Sequence, residues 1–150
     1  MKNRFLTLCV LSILLCSCAS VMHPPIRMQV SATKQLNRDN AGQSLPVRIK
    51  IYQLSDPTLF REATFRQLWK QDVQVLGATL LEKKELTLNP GERESIKMIP
   101  KEQAEYLAVV GLFRHPEGQR WKSLKSLMGS VGTYLKPTVI MANQNSVEIQ

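Results

Sequence analysis

Cysteine is scarce in this 150-residue chain, and its three copies, Cys9, Cys16 and Cys18, all fall within the first eighteen residues. Beyond residue 18 there is no thiol, which excludes a disulfide framework, a cysteine nucleophile and a thiolate zinc site there. Histidine is nearly as rare. His23 and His115 stand alone, outside any spacing that would hold a metal, and His115 before Pro116 reads as a loop residue. Gly129-Ser130-Val131-Gly132 lacks the Gly-x-Ser-x-Gly pattern of a nucleophile elbow, and no phosphate-cradling or dinucleotide-binding glycine loop occurs. Glu92 and Glu94 form a carboxylate pair, but on one face of a strand beside a turn, which reads as a solvated edge rather than an acid–base pair. These absences predict a chain that is not an enzyme and binds no metal and no diffusible cofactor.

Long apolar runs are missing too; none reaches the ~20 residues that span a bilayer. The charge is one-sided, with 20 basic against 12 acidic residues. The basic residues are dispersed, with no run of four and no basic–aromatic cluster, so a solvated face is expected and nucleic acid is not expected as a partner.

What is present begins at the amino terminus. Lys2 and Arg4 precede an apolar run over residues 5–15, followed by Leu15-Cys16-Ser17-Cys18. A charged start, about ten apolar residues and a small-residue exit read as a signal peptide. The exit resembles a bacterial lipobox, which implies cleavage between Ser17 and Cys18, a lipid thioether on Cys18 and fatty acylation (palmitate) of the new amino terminus. Leu15 is too bulky to precede a cut at Cys16, and Cys9 lies inside the apolar run. The expected divisions are 1–17 signal peptide, 18–26 lipidated tether carrying Pro24 and Pro25, and 27–150 folded domain. Without the signal the chain has 18 basic and 12 acidic residues, net +6, and 133 residues, enough for one domain with its own core. Residue 19 is Ala rather than Asp, which by resemblance to Gram-negative lipoproteins implies sorting to the outer membrane. Each buried methylene of an acyl chain contributes ~0.8 kcal/mol, so several chains on one Cys would anchor the domain without any membrane-binding face in the fold.

Within the domain, Met28, Val30 and Ala32 alternate with polar residues as in a half-buried strand, and Val47, Ile49 and Ile51 alternate with Arg48, Lys50 and Tyr52 in a second. The polar stretch between them predicts a hairpin with a long projecting loop. Asp56-Pro57 and the Thr64–Gln67 spacing predict two short helices over 57–62 and 65–71, packed on the sheet by Phe60, Phe65, Leu68 and Trp69. Asn89-Pro90-Gly91 predicts a type II turn in a hairpin of 80–88 with 92–99. Residues 105–113 read as a central strand covered on both faces, 118–127 cannot be assigned, 129–132 reads as flexible, and 138–142 with 146–149 reads as a closing hairpin. Seven or eight strands with one helical insertion predict an antiparallel β-sandwich.

Several stretches resemble one family. Pro46-Val47-Arg48-Ile49-Lys50-Ile51-Tyr52-Gln53-Leu54 is followed by Phe60, Ala63, Phe65 and Leu68. Then come Asp72, Leu76-Gly77, Leu88-Asn89-Pro90-Gly91, Tyr106-Leu107-Ala108-Val109-Val110, Phe113-Arg114 and Trp121. The pattern resembles the TssJ family, outer-membrane lipoproteins of the bacterial type VI secretion system. The resemblance implies an all-β, transthyretin-like sandwich with helical additions. It also implies a periplasm-facing domain that binds the periplasmic domain of the inner-membrane protein TssM and, with TssL, forms the membrane complex for protein secretion. The implied partner-binding loop joins the first two strands: Asn37, Arg38, Asp39, Asn40, Ala41, Gly42, Gln43, Ser44 and Leu45. A loop longer than a tight hairpin needs is often functional. The competing expectation is another envelope lipoprotein, acting as a pilot, a chaperone or a peptidoglycan-binding brace.

Overall fold

The computed structural model describes residues 24–129 and 136–150. Ser17 and Cys18, the rest of the expected signal peptide, and residues 130–132 of the glycine-flanked stretch lie outside the described residues. Eight strands are described: β1 (Ile26–Ala32), β2 (Val47–Leu54), β3 (Leu80–Leu88), β4 (Arg93–Met98), β5 (Tyr106–Gly111), β6 (Lys122–Ser126), β7 (Thr138–Ala142) and β8 (Val147–Ile149). Between β2 and β3 lie α1 (Thr58–Glu62), α2 (Phe65–Lys70), α3 (Asp72–Leu76) and a 3₁₀ turn, Gly77–Thr79.

The strands form two four-stranded sheets, β4-β1-β7-β8 and β3-β2-β5-β6. The sandwich expected from the sequence is therefore present, but its wiring differs in two places. β1 and β2 are not a hairpin, because they belong to different sheets, and neither are β3 and β4. Alternation shows that a strand has one buried face without showing which sheet it joins. The turn at residues 89–92 is as expected, with Glu92 N–H donating to Asn89 O and Gly91 at φ 78°. A type II turn does not match the twist of paired strands and splays them, which suits a chain leaving one sheet for the other. The Glu92 carboxylate accepts from the Asn89 main-chain and side-chain N–H groups, so it fastens this turn. All strand pairs are antiparallel except β1 with β7. The closing hairpin β7–β8 forms as expected, and the unassigned stretch supplies β6. Ile26, placed in the tether from sequence, is the buried first residue of β1.

The core lies between the sheets, where Ile26, Met28, Val30 and Ile140 meet Ile49, Ile51, Leu107 and Val109, all at most 1% exposed. The sheets are sewn together along β6 and β8: Val147 N–H donates to Arg120 O, Ile149 N–H to Ser123 Oγ, and Lys125 Nζ to Gln150 O. β5 is covered on both faces as expected, since Leu107, Ala108, Val109 and Val110 are all fully buried.

The second cover on that sheet is the helical segment. Asp56 accepts from Thr58 N–H at 2.8 Å, and Thr64 and Gln67 make the reciprocal capping box. These caps hold helices too short to persist alone. Phe60, Leu68 and Leu76 are buried, whereas Trp69, expected in the packing, is 48% exposed. Two lysines tie the segment to the strands. Lys122 Nζ donates to the carbonyls of Phe60, Arg61 and Ala63, satisfying the open end of α1. Lys50 Nζ donates to the carbonyls of Leu68 and Trp69 and to Asp72 Oδ2 at 2.9 Å.

Asp72 collects two further donors, Tyr52 Oη and Lys83 Nζ, each at 2.9 Å. Burial alone would raise its pKa, but the hydrogen bonds from Lys83, Lys50 and Tyr52 outweigh it and hold the carboxyl down to about 2. Burial, reinforced by the Asp72 charge, pushes the Tyr52 phenol upward, so it stays a donor. A carboxyl that ionises more readily when folded adds stability above its unfolded pKa of about 4. Folding stability should therefore fall as pH drops from about 4 toward 2 in acid titrations followed by circular dichroism, and this fall should be absent in Asp72→Asn. At neutral pH Asp72→Asn leaves Lys50 buried beside a neutral partner and should cost about 3 kcal/mol in urea unfolding.

Candidate docking surface

The fold has two distinct ends. Gln53 at the far end of β2 donates to Ile99 O beyond β4, and Ile26 pairs with Met98, so the stem enters where Leu54, Ile99 and Tyr106 lie. The opposite end gathers the β1–β2 loop, the β3–β4 turn, the β5–β6 loop and the β7–β8 turn. β1 runs from one end to the other, and seven residues at about 3.3 Å each separate the stem from the loop by roughly 23 Å.

The β1–β2 loop, residues 33–46, is built from its base upward. Thr33 N–H donates to Ala142 O, and Gly91 N–H to Thr33 O, so both neighbouring turns grip the start of the loop. Leu36 is fully buried and its carbonyl accepts from Leu45 N–H, which closes the neck. Asn37 sits between them at φ 45°, a left-handed backbone that Asn tolerates better than most residues. Its Nδ2 donates to Pro46 O at 2.7 Å, its Oδ1 accepts from Arg114 N–H at 2.8 Å, and its own N–H donates to Gln144 O. Asn37 is thus a pin in the scaffold, only 4% exposed, and is not part of the accessible surface expected from sequence.

Above the pin the loop is self-supporting. Asp39 Oδ1 accepts from the N–H groups of Ala41 and Gln43, its N–H donates to Gln43 O, and its carbonyl accepts from Gly42 N–H. Gly42 at φ 79° completes the turn in a region that other side chains resist. The tip therefore presents Asn40, Ala41, Gly42 and Gln43 exposed, with Arg38, Asp39, Ser44 and Leu45 half-buried below. Arg38 Nε is buried without a hydrogen-bond partner, an uncommon condition for a polar atom.

Depressions flank the loop. A polar cleft of about 450 Å³ is lined by Thr33, Lys34, Gln35, Asn143 and Gln144. An aromatic hollow of about 350 Å³ is lined by Phe65, Trp69, Leu112, Phe113 and Arg114. Phe65 stands edge-on to the buried Trp121 at 5.2 Å, and a Cβ at Gly111 would collide with the Phe113 ring. The Asn37–Arg114 hydrogen bond links this hollow to the loop. Trp69 is the residue that sequence reasoning misplaced, because a tryptophan in a short helix signals a core position unless the helix is known to lie at the surface. Among the described residues no three His, Cys, Asp or Glu side chains converge as metal ligands, and His115 is exposed.

If the pin sets the loop, Asn37→Ala should remove two part-buried side-chain hydrogen bonds and destabilise the domain by about 1–3 kcal/mol. Hydrogen exchange should then lose protection first at the Arg114 and Leu45 amides. Unchanged exchange there would show that the loop holds its form without Asn37.

No curated protein matches the chain in sequence. Solved structures do. One chain of a structure described as "Type VI membrane complex" superimposes with TM-score 0.77 at 22% identity, over 85% of this chain and 98% of that one. A chain in the structure described as "T6SS protein TssM C-terminal domain (869-1107) from EAEC" gives TM-score 0.73 at 20% identity, over 85% and 98%. The type VI secretion lipoprotein TssJ1 from Pseudomonas aeruginosa gives TM-score 0.69 at 27% identity, over 85% and 95%. These likenesses agree with the two-sheet fold. The family of type VI secretion lipoproteins that includes VasD, EvfM and TssJ matches residues 24–149, from the stem to the penultimate residue, and the chain belongs to this family.

Proposed function

We propose that the chain is a lipid-anchored component of the outer membrane that faces the periplasm and docks the periplasmic domain of TssM with its β1–β2 loop. In this reading it joins TssM and TssL in the membrane complex of the type VI secretion system. It contributes no chemistry beyond the covalent lipid on Cys18. The observation that carries the reading is the division of labour along β1. The strand leaves the stem at one end and delivers the braced loop at the other, so the anchor does not compete with the partner for surface. A chain matched in a structure described by the TssM C-terminal domain supports TssM as that partner.

Docking by such a tip needs few anchors. Binding energy concentrates in aromatic and arginine side chains, and Arg38 is the only arginine in a loop that has no aromatic residue. The braced turn limits the ordering cost of association.

The test is biolayer interferometry of the purified lipoprotein against the periplasmic domain of its cognate TssM. Arg38→Ala with Asn40→Ala leaves Asn37 and Asp39 in place and should preserve the fold while weakening binding by at least about tenfold, equivalent to about 1.4 kcal/mol. Unchanged affinity would remove the loop from the interface, and no saturable binding by the folded wild type would reject TssM as the partner.

A further inference from the structure

We infer that the stem end of the sandwich is itself a contact surface for an anionic phospholipid membrane, formed by Arg27, Lys97 and Lys101 around Ile99. This rests on the lipid-anchor reading above.

Two independent features meet at that end. The first is an unfavourable pair within the sheet. Arg27 on β1 and Lys97 on β4 are direct register partners, both exposed, and neither makes an ion pair with a described residue. Like charges directly opposite each other weaken a strand pair. Placing them together is unhelpful to the fold and is relieved by an anionic surface. The second feature is Ile99, one residue beyond β4 and 72% exposed, more than Leu59, Trp69, Val73 or Met128.

That exposure is built in. Gln53, fully buried, donates to Ile99 O at 2.9 Å and accepts from Lys101 N–H at 2.8 Å. One interior amide therefore clamps the main chain on both sides of Pro100 and holds the Ile99 side chain outward. Lys101 is also exposed, with its ammonium 3.9 Å from Glu82, a long contact that leaves it available. Glu102 and Glu105 are the other exposed acids beside this segment. An apolar side chain flanked by long cationic ones is the arrangement that settles at a headgroup boundary, with the aliphatic stems along the apolar surface and the charges on phosphate.

The stem fixes which surface is near. Ile26 is the eighth residue after Cys18, so a fully extended stem reaches about 28 Å, and any shorter path brings Arg27 and Lys97 closer. Screening limits attraction to about 8 Å at physiological salt, so contact requires the stem to fold back or tilt. Tethering supplies the high local concentration that makes a weak contact count. Three cations and one isoleucine do not anchor the domain. They fix its tilt, which points the loop tip away from the membrane.

The experiment uses the full lipidated protein in vesicles of phosphatidylethanolamine and phosphatidylglycerol. An environment-sensitive dye is placed at Ile99→Cys or, as the opposite-end reference, at Asn40→Cys, and brominated lipid serves as quencher. Quenching should be several-fold greater at position 99 than at position 40. It should fall to the position-40 level in Arg27→Glu with Lys97→Glu, in high salt, and in phosphatidylcholine vesicles. The salt and lipid arms do not depend on how the variant folds. Equal quenching at the two positions, or quenching at 99 indifferent to charge reversal and salt, overturns the proposal. Flotation of the same vesicles reports the anchor separately. A chain that floats without quenching at 99 keeps its anchor and loses this surface, and a chain that does not float loses both.

Discussion

Asp72 is a buried carboxylate with two ammonium groups and a phenol directed at one of its oxygens, and the helical layer stays on its sheet through that contact. Lys50 is drawn inside by the same charge, and from there its remaining donors close the open carbonyls of α2 at Leu68 and Trp69. The helices are five or six residues long, too short to persist on propensity alone. Their placement comes from this charge cluster and from the Lys122 cap. The aromatic hollow beside the loop is a product of that placement. Phe65 and Trp69 come from α2, Phe113 and Arg114 follow β5, and Arg114 N–H meets the Asn37 pin.

A second constraint is topological. The β1–β2 and β3–β4 connections each cross from one sheet to the other, and with the β5–β6 and β7–β8 loops they collect at the end opposite the stem. The pins that hold the β1–β2 loop come from three of them: Gln144, Arg114 and the Gly91 turn. A long loop braced in this way loses little freedom on binding, which is what a docking element with few side-chain anchors requires. The stem end has the opposite character, with a clamped, outward-facing isoleucine among cations.

Strand positions were legible because each buried face leaves a period-two trace, clear in Val47, Ile49 and Ile51. The capping box at Thr64 and the turn at Asn89-Pro90-Gly91 were legible because their chemistry is local. Sheet membership was not, since the same alternation serves a hairpin or a crossing; only the type II geometry of the second turn hinted at the crossing. Lys50 and Tyr52 looked like the solvent face of β2, and they are buried because a layer distant in sequence covers them. Asn37 looked like one polar loop residue among nine. What separates it is a left-handed backbone and two partners, Pro46 and Arg114, that no local pattern reveals. The loop's location followed from family resemblance, while its division into pin and tip needed coordinates. Trp69 shows the limit in the other direction, a residue type that favours the interior placed at the surface.

In the proposed reading the protein works from two ends, with its anchor at one and its docking loop at the other. Hydrogen–deuterium exchange of the vesicle-bound protein, with and without the TssM periplasmic domain, tests it most directly. The account predicts new protection confined to residues 38–45 and the adjoining loops of that end, with exchange at residues 99–103 unchanged. Protection centred on the stem end, or spread over a sheet face with the loop tip unaffected, would contradict it.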